Sequence, residues 1–343
     1  MFLKNITIPF RVYLELTRKC NNNCLHCFTG EKDHSLEELE TKEYFSIINQ
    51  LEEMNIRNIV FTGGEPLLRK DLFDILDYAN SKELNILLLT GGENIDKKIA
   101  SELKKFNIEI KLSLDGTKEA THDIIRGKGS FNRVLKAIDT LNSTGINNIT
   151  LHYTVNRLNI KEMLDLPALV SQLKVRKTDI STIKPAGMTL KNNNLLIDPS
   201  LVSVVINNYR LITSNPSLNL KTYKDKNWIG FSCPAGHAKF GLSAEGNVTP
   251  CVFLGKEFES KNVRDFPLKY LWYNDPKLNQ IRNLDINATC KACSDLEKRH
   301  GGCRSRALYY SNSIKEIDPY CCEGKKYVER QKIAKSEIER LFT

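Results

Sequence analysis

From residue 11 to about residue 183, short β-branched runs alternate with longer stretches whose apolar positions recur at helical spacing. A short apolar run suits one buried strand, and a 3.6-residue period suits a helix that lays one face on a core. On this reading strands fall at 11–16, 58–62, 85–89, 109–114, 148–155 and 177–183. Helices follow at 42–54, with Thr41 as a possible cap, and at 72–80, 96–106, 131–143, 161–173 and 201–213. Repeated strand–helix units feed a parallel sheet, so the fold class is α/β. Six units suit a three-quarter barrel or an open doubly wound sheet, and are too few for a closed eight-stranded barrel. Either architecture gathers its chemistry at the C-terminal ends of the strands.

The pattern changes after about residue 215. Helical periodicity fades, and a second, cysteine-bearing domain begins near 220, giving a division into 1–219 and 220–343 with a charged helical tail over 314–342. Its sparse apolar content implies that metal ligation supplies much of its stability. No apolar run approaches the roughly 18 residues of a bilayer span, and the N-terminus has no secretion-signal pattern. A soluble, cytoplasmic protein is expected. The 50 Lys and Arg exceed the 41 Asp and Glu by a net +9, without a block of like charge. That argues against a nucleic-acid stripe and leaves an acidic substrate or a peptide compatible.

The ten cysteines sharpen the picture, because three lie at 20, 24 and 27 and the other seven between 233 and 322. Closely spaced thiols in a reducing compartment favour metal or cluster ligation over disulfides. Cys20-x3-Cys24-x2-Cys27 follows the first strand. Three thiolates on one loop can hold three irons of a 4Fe-4S cube and leave the fourth open. Zinc remains an alternative, with His26 or His34 as a fourth ligand.

This motif, with Thr62-Gly63-Gly64-Glu65-Pro66, Ser113-Leu114-Asp115-Gly116 and Arg126 on later strand ends, resembles the radical S-adenosylmethionine (radical SAM) enzymes. The resemblance implies a partial (β/α)6 TIM-like barrel whose cubane cluster, on Cys20, Cys24 and Cys27, binds SAM at its open iron. It implies that Gly63, Gly64, Glu65 and Pro66 meet the SAM amino group, and that Ser113 and Asp115 meet its ribose and methionine. Arg126 would then pair with its carboxylate and His26 lie against its adenine. Thr90-Gly91-Gly92-Glu93 is read as a turn, and Asn156 as a residue that reaches the nucleoside or caps the next loop.

The later cysteines resemble the small cysteine-rich SPASM extension, which holds auxiliary 4Fe-4S clusters. By that resemblance Cys233, Cys251 and Cys303 bind a first auxiliary cluster, and Cys290, Cys293 and Cys321 a second. Arg299 stands at the family's fifth cysteine and cannot ligate iron. Cys322 or His300 is the candidate replacement. The first auxiliary cluster is expected to expose an iron, since Asn227 occupies the position of an additional cysteine found in relatives. A zinc ribbon of Cys290, Cys293, Cys303 and Cys321 is the rival reading.

What the resemblance implies is an enzyme that reductively cleaves SAM to a 5'-deoxyadenosyl radical and abstracts a hydrogen atom. The expected substrate is a ribosomally synthesised peptide, which a maturase modifies by thioether or carbon–carbon bond formation, epimerisation or oxidative decarboxylation. Tetrapyrrole side-chain modification is the alternative, and a non-catalytic iron-sulfur or zinc scaffold is the reading of another class. Only 19 residues precede Cys20, so the precursor peptide is expected either to need a separate leader-recognition protein or to dock directly, and a flavodoxin or ferredoxin-type reductant is expected. Neither nucleic acid nor membrane is expected as a partner.

Overall fold

All six expected strands form: β1 (Arg11–Glu15), β2 (Asn58–Thr62), β3 (Asn85–Thr90), β4 (Ile108–Ser113), β5 (Ile149–Val155) and β6 (Lys177–Thr182). The structure is a computed structural model that describes residues 8–30, 37–202, 204–205, 208, 212, 233–286, 288–291 and 301–321. Each strand pairs in parallel with the next, and the spatial order is the chain order. That order decides the architecture. A doubly wound sheet reverses direction at a switch point, whereas right-handed crossovers that always step the same way keep the helices on one face and wind the sheet toward a barrel.

Alternation along the strands shows the two faces. Val12, Leu14, Ile59, Phe61, Ile110 and Leu112 are buried in one core with the helices. On β1, β4, β5 and β6 the intervening positions are polar or amphipathic and only half-buried: Arg11, Tyr13, Lys111, Ser113, His152, Asp179 and Ser181. Lys111 crosses β5 to reach Asp179 at 2.5 Å, and His152 lies 3.5 Å from the same carboxylate. Burial would raise Asp179, but His152 and Lys111 outweigh it and hold the carboxyl well below its usual range. At the N-terminal strand ends a cavity of about 320 Å³ is lined by Arg11, Asn58, Glu109, Lys111 and Lys177. It lies at the end of the sheet opposite the cysteine loop.

The helices on the apolar face are α1 (Thr41–Glu53), α2 (Leu72–Ser81), α3 (Lys97–Leu103), α4 (Glu119–Arg126), α5 (Ser130–Thr144) and α6 (Leu166–Gln172). Several depart from the periodicity. Thr41 is not the cap of α1: Glu40 holds that position, and the Thr41 hydroxyl donates to Asp71 instead. The expected helix at 161–173 splits into a 3-10 turn, Lys161–Asp165, and α6, because Pro167 can open a helix but has no N–H to continue one. The segment Glu119–Arg126, to which the periodicity assigned no element, is α4. Most of the expected helix at 201–213 and of the tail over 314–342 lies outside the described residues.

Beyond residue 232 the chain is more helical than its pattern implied, with helices at Leu268–Asn274, Pro276–Arg282 and Arg304–Ser311. It also extends the sheet. Strand β7 (Lys239–Leu242) pairs in parallel with β1, and β8 (Val248–Thr249) folds back antiparallel on β7. Trp272, fully buried, sets its ring 5.4 Å from Phe240 of β7, and the Arg282 guanidinium lies 4.1 Å from the indole. A separate small core of Ala235, Leu254, Phe258, Ile281 and Ile314 packs against Cys233 and Cys251. Among the described residues no helix is long and apolar enough to cross a membrane.

The Trp272 contact fixes the C-terminal region to the sheet. Trp272→Ala should cost about 3–5 kcal/mol, read as a lower midpoint in urea unfolding followed by tryptophan-independent circular dichroism.

Candidate functional site

The loop after β1 carries three cysteine thiols, Cys20, Cys24 and Cys27, none of them in a disulfide and each partly exposed. Its backbone is held from three directions. Gly64 N donates to Thr17 O and Glu65 N to Lys19 O, both at 2.7 Å. A Cβ on Gly63 would stand 2.5 Å from Thr17 O, and one on Gly64 only 2.1 Å from Lys19 O, so only glycine lets the end of β2 lie this close to the loop. On the far side Leu25 N donates to Ile125 O at 2.9 Å, and Asn192 Nδ2 donates to Leu25 O at 3.0 Å. Near the loop's end Met188 N donates to Cys27 O at 2.8 Å.

The side chain of Glu65 faces inward. It accepts from Thr90 Oγ1 at 2.7 Å, Gly91 N at 2.9 Å and Leu67 N at 3.1 Å. Burial pushes this carboxyl up despite those donors. Thr90-Gly91-Gly92-Glu93 is thus a turn tied to Glu65, and buried Pro66 opens a 3-10 turn. Three buried polar atoms near the loop have no partner among the described residues: His26 Nδ1, Glu93 Oε1 and Asn94 Nδ2.

Beside Cys24 the structure assembles Asp115, Arg126 and His26. Fully buried Asp115 accepts from Arg126 Nε at 2.5 Å, from His26 Nε2 at 2.9 Å and from Thr154 N at 2.7 Å. Burial opposes its charge, but Arg126 and His26 outweigh that and hold the carboxyl well below the usual range. Arg126 Nη1 lies 3.8 Å from Cys24 Sγ, and Nη2 lies 3.5 Å from His26. The Cys24 thiol is raised to about 11, first by burial, with Arg126 lowering it and Cys27 and Cys20 raising it. The three sulfurs therefore share one field. Ser113, half-buried, ends β4 two residues before Asp115. Asn156 uses its side chain within its own loop, accepting from Leu158 N at 2.9 Å and donating to Thr154 O at 3.2 Å.

A second group of thiols lies in the C-terminal region. Burial raises Cys233, and Cys303 and Cys251 add to the shift, so the three expected first-cluster ligands do come together. Cys303 N donates to Asp318 Oδ2 at 2.7 Å, and Cys321 N donates to the Asp318 carbonyl at 2.9 Å. Cys290 sits on the short helix Ala288–Lys291. Cys293, Cys322, Arg299, His300, Asn227 and His34 lie outside the described residues. Among the described residues no three His, Cys, Asp or Glu side chains close tightly enough round a point to hold a single metal ion. An iron-sulfur cube, whose thiolates sit on separate irons, needs no such convergence.

Other residues of the site carried no local signal. Arg18 binds Glu245 through Nε at 2.9 Å and Nη2 at 3.0 Å, and Glu15 at 2.9 Å, tying the loop to the C-terminal region. Arg69 donates to Leu16 O at 2.6 Å and Leu39 O at 2.8 Å. Both look like surface cations in the sequence, because Glu245, which holds Arg18, and Leu16 and Leu39, which hold Arg69, lie far away along the chain.

Comparison with known proteins agrees with this arrangement. Residues 14–168 match the family model of the Radical SAM superfamily, and 233–294 that of the SPASM iron-sulfur cluster-binding domain. The mycofactocin maturase MftC of Mycolicibacterium smegmatis is 25% identical over 338 residues, spanning 94% of this chain and 85% of that protein. The PqqA peptide cyclase of Gluconobacter oxydans is 26% identical over 332 residues, spanning 91% of this chain and 90% of the relative. The crystal structure of Streptococcus suis SuiB bound to its precursor peptide SuiA superposes with a TM-score of 0.75 at 20% identity, over 92% of this chain and 76% of that one.

One buried group near the loop gives a pH test. His122 accepts from Asp115 N at 3.0 Å, and burial, with Arg126, pulls its imidazole down to about 4. Between the ordinary value near 6.5 and about 4, the unfolded chain binds a proton that the folded chain refuses, so acidification destabilises the fold. The drop from this residue is about 3 kcal/mol. His122→Asn, which keeps an acceptor, should reduce by that amount the stability lost between pH 7 and pH 4 in urea titrations.

Proposed function

The chain belongs to the radical SAM superfamily, with a SPASM domain after the barrel, and we propose that it modifies a ribosomally synthesised peptide. It is an enzyme, and its cofactors are S-adenosylmethionine and 4Fe-4S clusters. The peptide reading is supported by the PqqA peptide cyclase and by SuiB with its bound precursor. A flavodoxin or ferredoxin-type protein would supply the electron, and a separate protein would present the precursor's leader.

The observation that carries the assignment of the site is the Arg126 guanidinium. It is anchored through Nε to Asp115, with Nη1 beside Cys24. Cys20, Cys24 and Cys27 would hold the SAM-binding cluster, an all-sulfur donor set that suits iron. The residues present fit it: three thiols outside any disulfide stand on a loop pinned by its neighbours, beside a fixed cation and buried polar atoms with no partner among the described residues. When bound, these cofactors supply reductive cleavage of SAM and a radical that takes a hydrogen atom from unactivated carbon.

The chain's own residues bind and orient. Arg126 would present a planar fork to the SAM carboxylate, its rotation fixed by Asp115. Gly63, Gly64, Glu65 and Pro66 place the end of β2 against the cysteine loop, where the amino group would lie. Asp115 also fixes the His26 ring, which would stack on the adenine, and Ser113 would meet the ribose. Cys233, Cys251 and Cys303 would hold the first auxiliary cluster, and Cys290, Cys293 and Cys321, with Cys322, the second. The domain division at about residue 220 is retained for the cluster-bearing region, although β7 completes the wall of the barrel.

Anaerobically reconstituted enzyme, given SAM, dithionite and the short peptide encoded beside it, should release 5'-deoxyadenosine and change the peptide's mass. An unchanged peptide together with a modified tetrapyrrole would overturn the substrate assignment. Arg126→Lys, which keeps the charge but loses the fork, should raise the KM for SAM about tenfold or more with cluster absorbance retained.

A further inference from the structure

Arg304 and Lys239, two of the cations beside the second group of thiols, have no carboxylate within salt-bridge distance among the described residues. Arg304 is only 2% exposed, and its guanidinium donates to carbonyl oxygens alone: Ile314 O at 2.7 Å, Glu316 O at 3.1 Å, Gly302 O at 3.3 Å and Gly301 O. It follows Cys303 directly and lies close enough to Cys233 to lower that thiol. Lys239 ends the turn that begins at Cys233, with Gly236 N donating to its carbonyl at 2.9 Å, and its Nζ stands 5.1 Å from the Tyr13 ring. Its charge is felt by Cys251, Cys233 and Cys303 together. By contrast, the neighbouring buried guanidinium of Arg306 is matched by Asp318 at 2.6 Å.

A buried charge such as that of Arg304 is costly without a counter-charge, and carbonyl dipoles offset only part of that cost; Lys239 is half-buried. Arg304 holds the carbonyl of Ile314, whose side chain belongs to the small core packed on Cys233 and Cys251, and Lys239 shares the field of Cys233, Cys251 and Cys303. We propose that Arg304 and Lys239 are charge-compensating residues for an anionic iron-sulfur cluster on Cys233, Cys251 and Cys303, and that they raise its reduction potential. This rests on the assignment of that trio as a cluster site. Reduction adds one electron to the cluster and makes or breaks no bond. It leaves the cluster one unit more negative, so a fixed positive charge in low dielectric favours the reduced form.

The test uses full-length protein in which Cys20, Cys24 and Cys27 are all replaced by Ala, so that only auxiliary iron remains. Iron and sulfide are assayed, and dithionite titration is followed by electron paramagnetic resonance. In this background Lys239→Met and Arg304→Met should each lower the reduced-to-oxidised ratio at fixed potential about tenfold, a shift of about 59 mV to more negative values for a one-electron couple. Lys239→Arg and Arg304→Lys, which keep the charge, should stay at the parent potential. Removing the Cys290, Cys293 and Cys321 thiols identifies the signal that belongs to the first trio. If that signal is missing from the parent while iron is absent, the cluster assignment itself fails. A normal signal whose potential is unmoved in both Met variants overturns the charge proposal alone. Should a Met variant fail to take up iron, its charge-retaining partner decides: uptake at the parent potential supports the proposal, and equal loss of iron overturns it.

Discussion

A loop that must offer three thiols to one object cannot also satisfy its own backbone, so its shape has to be imposed by neighbours. Here the imposing contact is the approach of Gly63 and Gly64 to Thr17 and Lys19, closer than any side chain would allow. The remaining features of the site follow from it. With the front of the loop set by β2, the turn after β4 and helix α4 can bring Ile125 and Arg126 against its centre, and Met188 can close its end. The close approach of the two glycines is to protein backbone. Glycine there is a requirement of loop packing before it is one of ligand access.

Electrostatics divides the molecule into two differently balanced sites. At the first, one buried carboxylate, Asp115, orients a guanidinium and an imidazole, leaving Arg126 beside a thiol with a fixed rotation. At the second, cations gather round the thiols, and among the described residues the one cation that Asp318 pairs with is Arg306. The first arrangement suits holding a charged ligand in one orientation. The second suits stabilising added negative charge where nothing has to be oriented.

The two sites also differ in what supports them. The first hangs on a parallel sheet whose core runs continuously from β1 to β7 and includes Trp272. The second rests on five buried apolar residues. A core that small contributes little, so ligation there would serve folding as much as chemistry. Arg18, bound to Glu15 and Glu245, links the two regions at the root of the cysteine loop.

The chain's own residue order was enough to reveal the six strands, the barrel class and the principal thiol groups. Periodicity is a local property, and cysteines three or four apart on one loop are brought together by the chain itself. It missed α4, the Pro167 break and β7, where short segments take their structure from what they pack on. It also missed Arg18, Arg69, Arg304 and Lys239 as members of sites. A basic side chain reads the same in sequence whether solvent or a buried thiol faces it. Only the fold decides which, because burial and the sign of the nearest charge depend on residues far away along the chain.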